Sequence, residues 1–191
     1  MTASTSLPRR RWVVANFAAD MARSRTYMPA LKRIVGEHLI GEAPAVEDKQ
    51  HNTDLIVLKL DAVRVACRIR RFGYFDKYHG EFTIRSGRPS GVKTELAKLL
   101  EGWGDYFLYG FADESDADIF AWTLADLRVF RLWFFRRLAG NQGKVPGTSK
   151  DNHDESSSFH AFRWDELPPD FIVARHVPTA AISPFVLRAK G

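Results

Sequence analysis

Apolar residues recur at helical spacing in two stretches near the start of the chain. In the first, they share one face of a helix predicted over residues 12–24: Trp12, Val13, Phe17 and Met21. The second predicted helix ends at Gly41 and Pro44, and its apolar stripe comprises Leu31, Ile34, Val35, His38 and Leu39. Pro29 either restarts the helix at its first turn or kinks one longer helix. Residues 42–52 form a polar connector.

The next part of the chain has the patterns of three strands. Residues 55–60 are apolar nearly throughout, as in a buried strand. Residues 63–71 alternate instead, with Val63, Val65, Cys67 and Ile69 on one face and Arg64, Ala66, Arg68 and Arg70 on the other. In the strand predicted over residues 81–85, Phe82 and Ile84 face the core, and Glu81, Thr83 and Arg85 lie opposite. The aromatic and charged residues 72–80 are interpreted as a loop.

The second half of the chain predicts two helices and further strands. The first helix has the apolar stripe Val92, Leu96, Leu99, Leu100 and Trp103, and ends at Gly102 and Gly104. Strands over residues 106–111 and 119–124 flank an acidic turn. Asp126 is the predicted N-cap of a helix over residues 127–138. Residues 140–158, rich in Gly, Ser, Asn and Lys, predict a flexible loop, and one more segment follows over residues 159–175.

Together these elements predict an α/β (α+β) fold with a mixed sheet of four to six strands, flanked by helices. Strands joined by short turns pair antiparallel, whereas a helical crossover makes the following strand parallel. A chain of 191 residues buries a sizeable core in one domain. We expect that domain over residues 12–176, between a flexible basic N-terminus of residues 1–11 and a C-terminal tail of residues 177–191.

Composition limits the class of protein and the compartment in which we expect it. The apolar fraction of 45% is typical of a globular protein, and no apolar run approaches the roughly 20 residues of a membrane span. We therefore expect no membrane partner. Cys67 is the single cysteine, which excludes an intrachain disulfide and a thiolate metal cluster and favours a cytoplasmic location. The six histidines lack the spacing of a zinc site.

Arginine dominates the positive charge, which gives a formal net charge of +5 and a pI of about 9.5. The arginines cluster at residues 9–11, around residues 68–71 and over residues 128–137. Guanidinium groups bind phosphate oxygens bidentately, so this clustering favours DNA or RNA as a partner; an acidic protein is the alternative. The predicted nucleic-acid-binding residues are Arg64, Arg68, Arg70, Arg71 and Arg85.

Residues 52–101 combine strand, strand, strand and helix with acids and bases at the strand ends. This order resembles the core of PD-(D/E)XK nucleases. The segments NTDLIVL, ACRIRR, EFTIRS and SGVKTELAKLLEGWGDYFLYGF also resemble uncharacterised proteins of phages and prophages, over residues 15–175. The resemblance implies a mobile-element protein that handles nucleic acid and cleaves phosphodiesters with Mg²⁺.

In those nucleases an Asp and an acid on the next strand bind Mg²⁺, and a Lys two residues beyond the acid orients water. By resemblance Asp54 takes the Asp position, and Arg68, Ile69 and Arg70 stand in place of (D/E)XK. Arginine cannot ligate Mg²⁺ and is a poor base. Either the metal acids have moved, or the site has lost its metal and the arginines hold phosphate; the lack of an acid at Arg68 favours the second.

The relocated site would have Asp54, Glu81 and Glu37 as metal ligands. Its catalytic set would be Asp54, Glu81, Arg68, Arg70 and Lys98, with Glu95 completing the site from the helix. The register of the first hairpin decides whether Asp54 contributes. A two-residue loop at Asp61 and Ala62 places Asp54 opposite Ile69, whereas a three-residue loop places it opposite Arg70.

Each candidate also has a structural interpretation. Asp54 has the position of a capping acid, and Glu81 could pair with Arg85 or Lys77. Glu95 and Lys98 have the spacing of an ion pair within a helix. Three functions remain open from the sequence: a Mg²⁺-dependent nuclease, a non-catalytic nucleic-acid-binding module, and a protein-interaction or inhibitor role for the aromatic residues 72–78.

Overall fold

The structure is a computed structural model that describes residues 19, 21–39, 41–42, 55–56, 63–89, 91–152 and 157–178. Residues 21–26 are helical, and a turn at Tyr27 leads into α1. The elements in chain order are α1 (Met28–Leu39), β1 (Gly41–Glu42), β2 (Leu55–Ile56), β3 (Val65–Arg70), α2 (Phe75–Tyr78), β4 (Glu81–Gly87), α3 (Glu95–Leu100), β5 (Tyr106–Ala112), β6 (Ile119–Asp126), α4 (Leu127–Gly140), β7 (Thr148–Asp151), β8 (Ser158–Arg163) and β9 (Ile172–His176).

The predicted α+β class is confirmed, and the strands form a mixed four-stranded sheet with the order β3-β5-β6-β9. β3 and β5 run parallel, with Val65 opposite Tyr106 and Arg70 opposite Phe111. The other pairs, β5 with β6 and β6 with β9, are antiparallel. The chain thus enters β5 parallel to an earlier strand, as predicted for a strand that follows a helical crossover.

The prediction of one sheet was wrong for the third strand, because β4 belongs to a separate antiparallel sheet with the order β4-β8-β7. The physical reason lies in the segment interpreted as a loop. It forms a 3₁₀ turn (Phe72–Tyr74) and α2, in which Phe75 is 3% exposed and packs against Phe111 and Phe120. This anchor carries the chain away from the edge of β3.

The segment predicted as a flexible loop over residues 140–158 contains β7. Thr148 and Asp151 pair with Ala161 and Ser158 of β8. The residues of β7 (TSKD) are polar and mostly exposed, so they carry no apolar alternation that would have marked a strand.

An aromatic core fills the space between the two sheets. Phe82 is fully buried, and the rings whose centroids lie 4.4–6.3 Å from its own are those of Phe107, Tyr109, Phe130, Phe162, Trp164 and Phe171. Ile84 is also fully buried, so the predicted core face of β4 is confirmed. Most pairs are tilted or edge-on, the arrangement that aromatic quadrupoles favour.

Two helices complete the layers. α4 starts as predicted at Asp126, whose side chain accepts a hydrogen bond from the Arg128 amide at 2.7 Å. It buries Phe130, Trp133 and Phe134 against the aromatic core.

α1 covers the opposite face of the four-stranded sheet, where Leu31 and Ile34 join Leu108 and Leu124 in a second cluster. Pro29 lies in the first turn of α1, in agreement with the predicted restart. Among the described residues, no helix is long and apolar enough to cross a membrane.

Several predictions fall outside the described residues. These include Asp54, the turn at Asp61 and Ala62, the basic N-terminus of residues 1–11 and nearly all of the C-terminal tail. The register alternatives at Asp54 therefore stay open. The structure describes β2 only as an antiparallel partner of β1.

Candidate functional site

A pocket of about 390 Å³ lies where the start of β3, the end of β4 and α3 meet. Its floor is apolar and includes Val65, Ala66 and Leu99. The charged residues that line it are Arg64, Arg85, Arg88, Lys93, Lys98 and Glu95. Five cationic side chains therefore surround one carboxylate, and we call this site the basic pocket.

Local sequence explains why α3 faces the pocket with polar residues. Thr94 is its N-cap, and the Thr94 Oγ1 accepts a hydrogen bond from the Ala97 amide at 3.3 Å. Leu96 and Leu99 are buried and hold the helix on the core. This leaves Lys98 exposed at the pocket wall.

Glu95 and Arg68 connect the two sheets beside the pocket. Arg68 Nη1 donates to Glu95 Oε2 and to the Thr83 carbonyl, each at 2.9 Å. Glu95 Oε2 also accepts from the Arg85 amide at 3.2 Å. The side chains of Arg68 and Glu95 are 16% and 31% exposed, and the Arg68 guanidinium lies 4.9 Å from the Phe159 ring centroid. Arg68 is thus engaged by protein groups and serves to position Glu95 and β4.

The remaining cations leave the basic pocket strongly positive. In the part of the chain that the structure describes, the side chains of Arg64, Arg88 and Lys98 form no ion pair. Lys93 pairs with Glu101 at 2.6 Å, but both side chains are about half exposed, so solvent weakens that pair. Unneutralised cations in a concave site favour an anionic ligand.

The structure brings together part of the predicted site. Arg64, Arg85, Glu95 and Lys98 all line the basic pocket, and Arg68 lies directly behind Glu95. The predicted ion pair of Glu95 with Lys98 does not form, because Glu95 bonds Arg68 instead.

Arg70 and Arg71 do not line the basic pocket. The Arg70 guanidinium lies 4.7 Å from the Tyr74 ring centroid, and Arg71 is exposed at the start of the 3₁₀ turn. Arg64 lies at the start of β3, whereas Arg70 and Arg71 lie at its end. Both therefore belong to a different surface from the basic pocket.

The predicted metal acids are not brought together. Glu37 is exposed on α1, whereas Glu81 lies on β4, and α1 and β4 cover opposite faces of the four-stranded sheet. Glu81 pairs with Lys150, not with Arg85 or Lys77. Asp54 lies outside the described residues, and among those described no group of three His, Cys, Asp or Glu side chains could hold a metal ion.

Three residues of the basic pocket were missed from the sequence: Arg88, Lys93 and Trp103. Trp103 had been assigned to the apolar stripe of α3, yet it is 59% exposed, and its ring lies 5.7 Å from the Arg64 guanidinium. Gly102 was the available signal, because it ends the helix and so places Trp103 beyond the last helical turn.

An apolar groove of about 450 Å³ lies on the other side of β3, against α1. Tyr27, Leu31, Val65 and Cys67 line it. Cys67 is exposed on the strand, and its thiol lines this groove. Desolvation raises the pKa of its thiol to about 11, so the thiolate needed for nucleophilic chemistry is scarce at neutral pH.

No protein-family model matches the chain, and no curated protein matches it. The resemblance to PD-(D/E)XK nucleases and to phage proteins therefore stays a prediction, and the function is argued from the site itself.

Proposed function

We propose that the protein binds nucleic acid and holds its phosphate groups in the basic pocket. The observation that carries the proposal is the set of five cations, from the start of β3, the end of β4 and α3, around one carboxylate that is already hydrogen-bonded. Arginine and lysine are the side chains that neutralise backbone phosphates.

The spread of the cations favours a polyanion over a small anion. Arg64 precedes β3, Arg88 follows β4 and Lys98 lies on α3, and all three line the same pocket. An extended chain of phosphates can engage all three, and the exposed indole of Trp103 at the rim offers a surface for a base. The net charge of +5 adds attraction at longer range.

The proposal is for binding without cleavage. Among the described residues, Glu95 is the carboxylate that lines the basic pocket, and its Oε2 already accepts hydrogen bonds from Arg68 and from the Arg85 amide. Mg²⁺-dependent cleavage is the alternative that the nuclease resemblance implies, with Asp54 as its candidate acid. An acidic protein partner is the second alternative, since it would use the same cations.

Charge reversal tests the proposal. The double variant Arg88→Glu/Lys98→Glu should bind a labelled oligonucleotide at least about tenfold more weakly in fluorescence anisotropy, because two phosphate contacts become repulsive. Both side chains are exposed and lack an ion pair among the described residues, so folding should be unaffected. Lys32→Glu on α1 is the control, since it also reverses an exposed charge but lies across the four-stranded sheet.

The proposal fails if wild-type protein binds no DNA or RNA oligonucleotide at low salt, or if Lys32→Glu weakens binding as much as the double variant. The same assay with EDTA separates binding from cleavage. We expect unchanged affinity and an intact oligonucleotide with or without Mg²⁺; cleavage that EDTA abolishes and Asp54→Ala removes would establish the nuclease alternative instead.

A further inference from the structure

Trp103 stands exposed at the rim of the basic pocket. Its side chain is 59% exposed, whereas Trp133 and Trp164 are 9% and 6% exposed in the core. Among the described residues, the group that contacts its ring is the Arg64 guanidinium, which lies 5.7 Å from the ring centroid. A large aromatic surface is therefore open beside a cluster of cations.

The backbone around Trp103 is held in place by several hydrogen bonds. The Trp103 amide donates to the Lys98 carbonyl at 3.0 Å and the Gly102 amide to the Leu99 carbonyl at 3.2 Å, which is the Schellman pattern of a helix C-terminus. Gly102 and Gly104 have φ values of +96° and +90°, a region that favours glycine.

Further contacts fix the turn from below. Arg131 Nη1 donates to the carbonyls of Leu99 and Gly104 at 3.3 and 3.1 Å, and the Arg64 amide donates to the Asp105 carboxylate at 2.9 Å. In a Schellman motif the apolar residue at this position commonly packs back on the helix. Here Trp103 instead projects to solvent, from a turn whose backbone these hydrogen bonds hold in place.

The chemistry of such a surface points to an unpaired base. Bases stack on aromatic rings with little dependence on their identity, and cations beside the ring hold the phosphates of the same strand. In a duplex the faces of the bases are covered by their neighbours, so a side chain at a pocket rim reaches them only after unpairing.

We propose that the basic pocket takes a single strand of nucleic acid, with one unpaired base stacked on Trp103 and the adjoining phosphates on Arg64, Arg88 and Lys98. This inference rests on the proposed function and deepens it, because it names single-stranded nucleic acid as the ligand class. The protein should therefore bind a single strand more tightly than a duplex of the same sequence and length.

Substitution of the indole tests the inference. Trp103→Ala should weaken binding of a single-stranded oligonucleotide by roughly 5- to 150-fold, the range for loss of one base–aromatic stack. Trp103→Phe, which keeps a ring, should retain most of the affinity. Phe135→Ala is the matched control, because Phe135 is an exposed aromatic residue (49%) on α4 that does not line the pocket.

Two further readouts separate stacking from a general loss of structure. The slope of log affinity against log salt should be the same for Trp103→Ala and wild type, because no phosphate contact is removed, but shallower for Arg88→Ala/Lys98→Ala. An oligonucleotide in which every base is removed, leaving the sugar-phosphate backbone, should bind wild type and Trp103→Ala equally.

The outcomes distinguish this inference from the proposed function. If charge reversal abolishes binding while Trp103→Ala binds single strands as tightly as wild type, the pocket binds nucleic acid but the stacking inference is overturned. Tighter binding of duplex than of single strand also overturns it. If no oligonucleotide of either form binds wild type, the proposed function itself fails, and Trp103 is left as a contact for a protein partner.

Discussion

Arg68 illustrates how the meaning of a single residue depends on its neighbours in space. The resemblance to nucleases predicted that Arg68 stands in the place of a metal-binding acid. In the structure its guanidinium joins β3 to Glu95 of α3 and to the Thr83 carbonyl of β4. These partners lie on two other elements, so no local pattern could have identified them.

Removing this guanidinium should destabilise the protein. Arg68→Ala leaves Glu95 and the Thr83 carbonyl without their partner in a partly buried site, so we expect a loss of about 1–3 kcal/mol in the free energy of unfolding measured by urea denaturation. Arg163→Ala is the control, because Arg163 pairs with Asp165 at side-chain exposures of 60% and 64%, and ion pairs this exposed contribute little to stability. Equal effects of the two variants would contradict the structural role of Arg68.

Cys67 gives a prediction on reactivity. Because desolvation raises the pKa of its thiol to about 11, alkylation by iodoacetamide at neutral pH should be roughly a hundredfold slower than for a thiol of ordinary pKa. The rate should rise about tenfold per pH unit up to pH 10 and become normal in urea. Rapid alkylation of the folded protein at pH 7 would show that the thiol is not desolvated.

At the scale of elements, periodic patterns predicted most strands and helices. The core-facing residues of β4, Phe82 and Ile84, and the N-cap of α4 were confirmed, because burial and capping are local properties. The pairing of β4 with β8 was not predicted, since partner choice depends on the anchor at Phe75 and on a segment far along the chain. The polar strand β7 is stabilised by its pairing with β8, because its own sequence has no alternation of apolar and polar residues.

The anchor of the N-terminal helices is a second element that sequence did not reveal. The Asp116 carboxylate accepts hydrogen bonds from Arg23 at 2.8 and 3.0 Å and from the Tyr27 hydroxyl at 2.6 Å. These donors lower the pKa of Asp116 to about 2. The turn between β5 and β6 therefore holds the segment that leads into α1, with partners about ninety positions apart.

This anchor predicts a dependence on pH. Since the folded-state pKa of Asp116 lies below its unfolded value, the carboxylate stabilises the fold above about pH 4, and that contribution is lost as pH falls towards about 2. Asp116→Asn keeps a residue that tolerates φ +58°. It should lower stability at pH 7 by up to about 1 kcal/mol, since Asp116 is 45% exposed.

The stability difference between wild type and Asp116→Asn should shrink as the pH falls from about 4 to about 2 and vanish below that, and amide exchange in α1 should speed up in the variant at pH 7. A difference that persists unchanged at pH 2 would assign the effect to something other than the carboxylate charge.

For the whole molecule, the sequence predicted the basic character of the site better than its chemistry. Arg64, Arg85, Glu95 and Lys98 were singled out and do meet in one pocket. Arg88, Lys93 and Trp103 were missed, because their role arises from the packing of α3 against the ends of β3 and β4. The acids Glu37 and Glu81 were grouped on a single-sheet topology, but they lie on opposite sides of the four-stranded sheet.

The most direct test of the central claim is the salt dependence of oligonucleotide binding by the wild-type protein. If three to five cations of the basic pocket contact phosphates of a single strand, log affinity should fall with log salt at a slope of about −2 to −3.5. EDTA should not change that slope, and the double variant Arg88→Glu/Lys98→Glu should flatten it. A slope near zero, or one that the double variant leaves unchanged, would contradict the account.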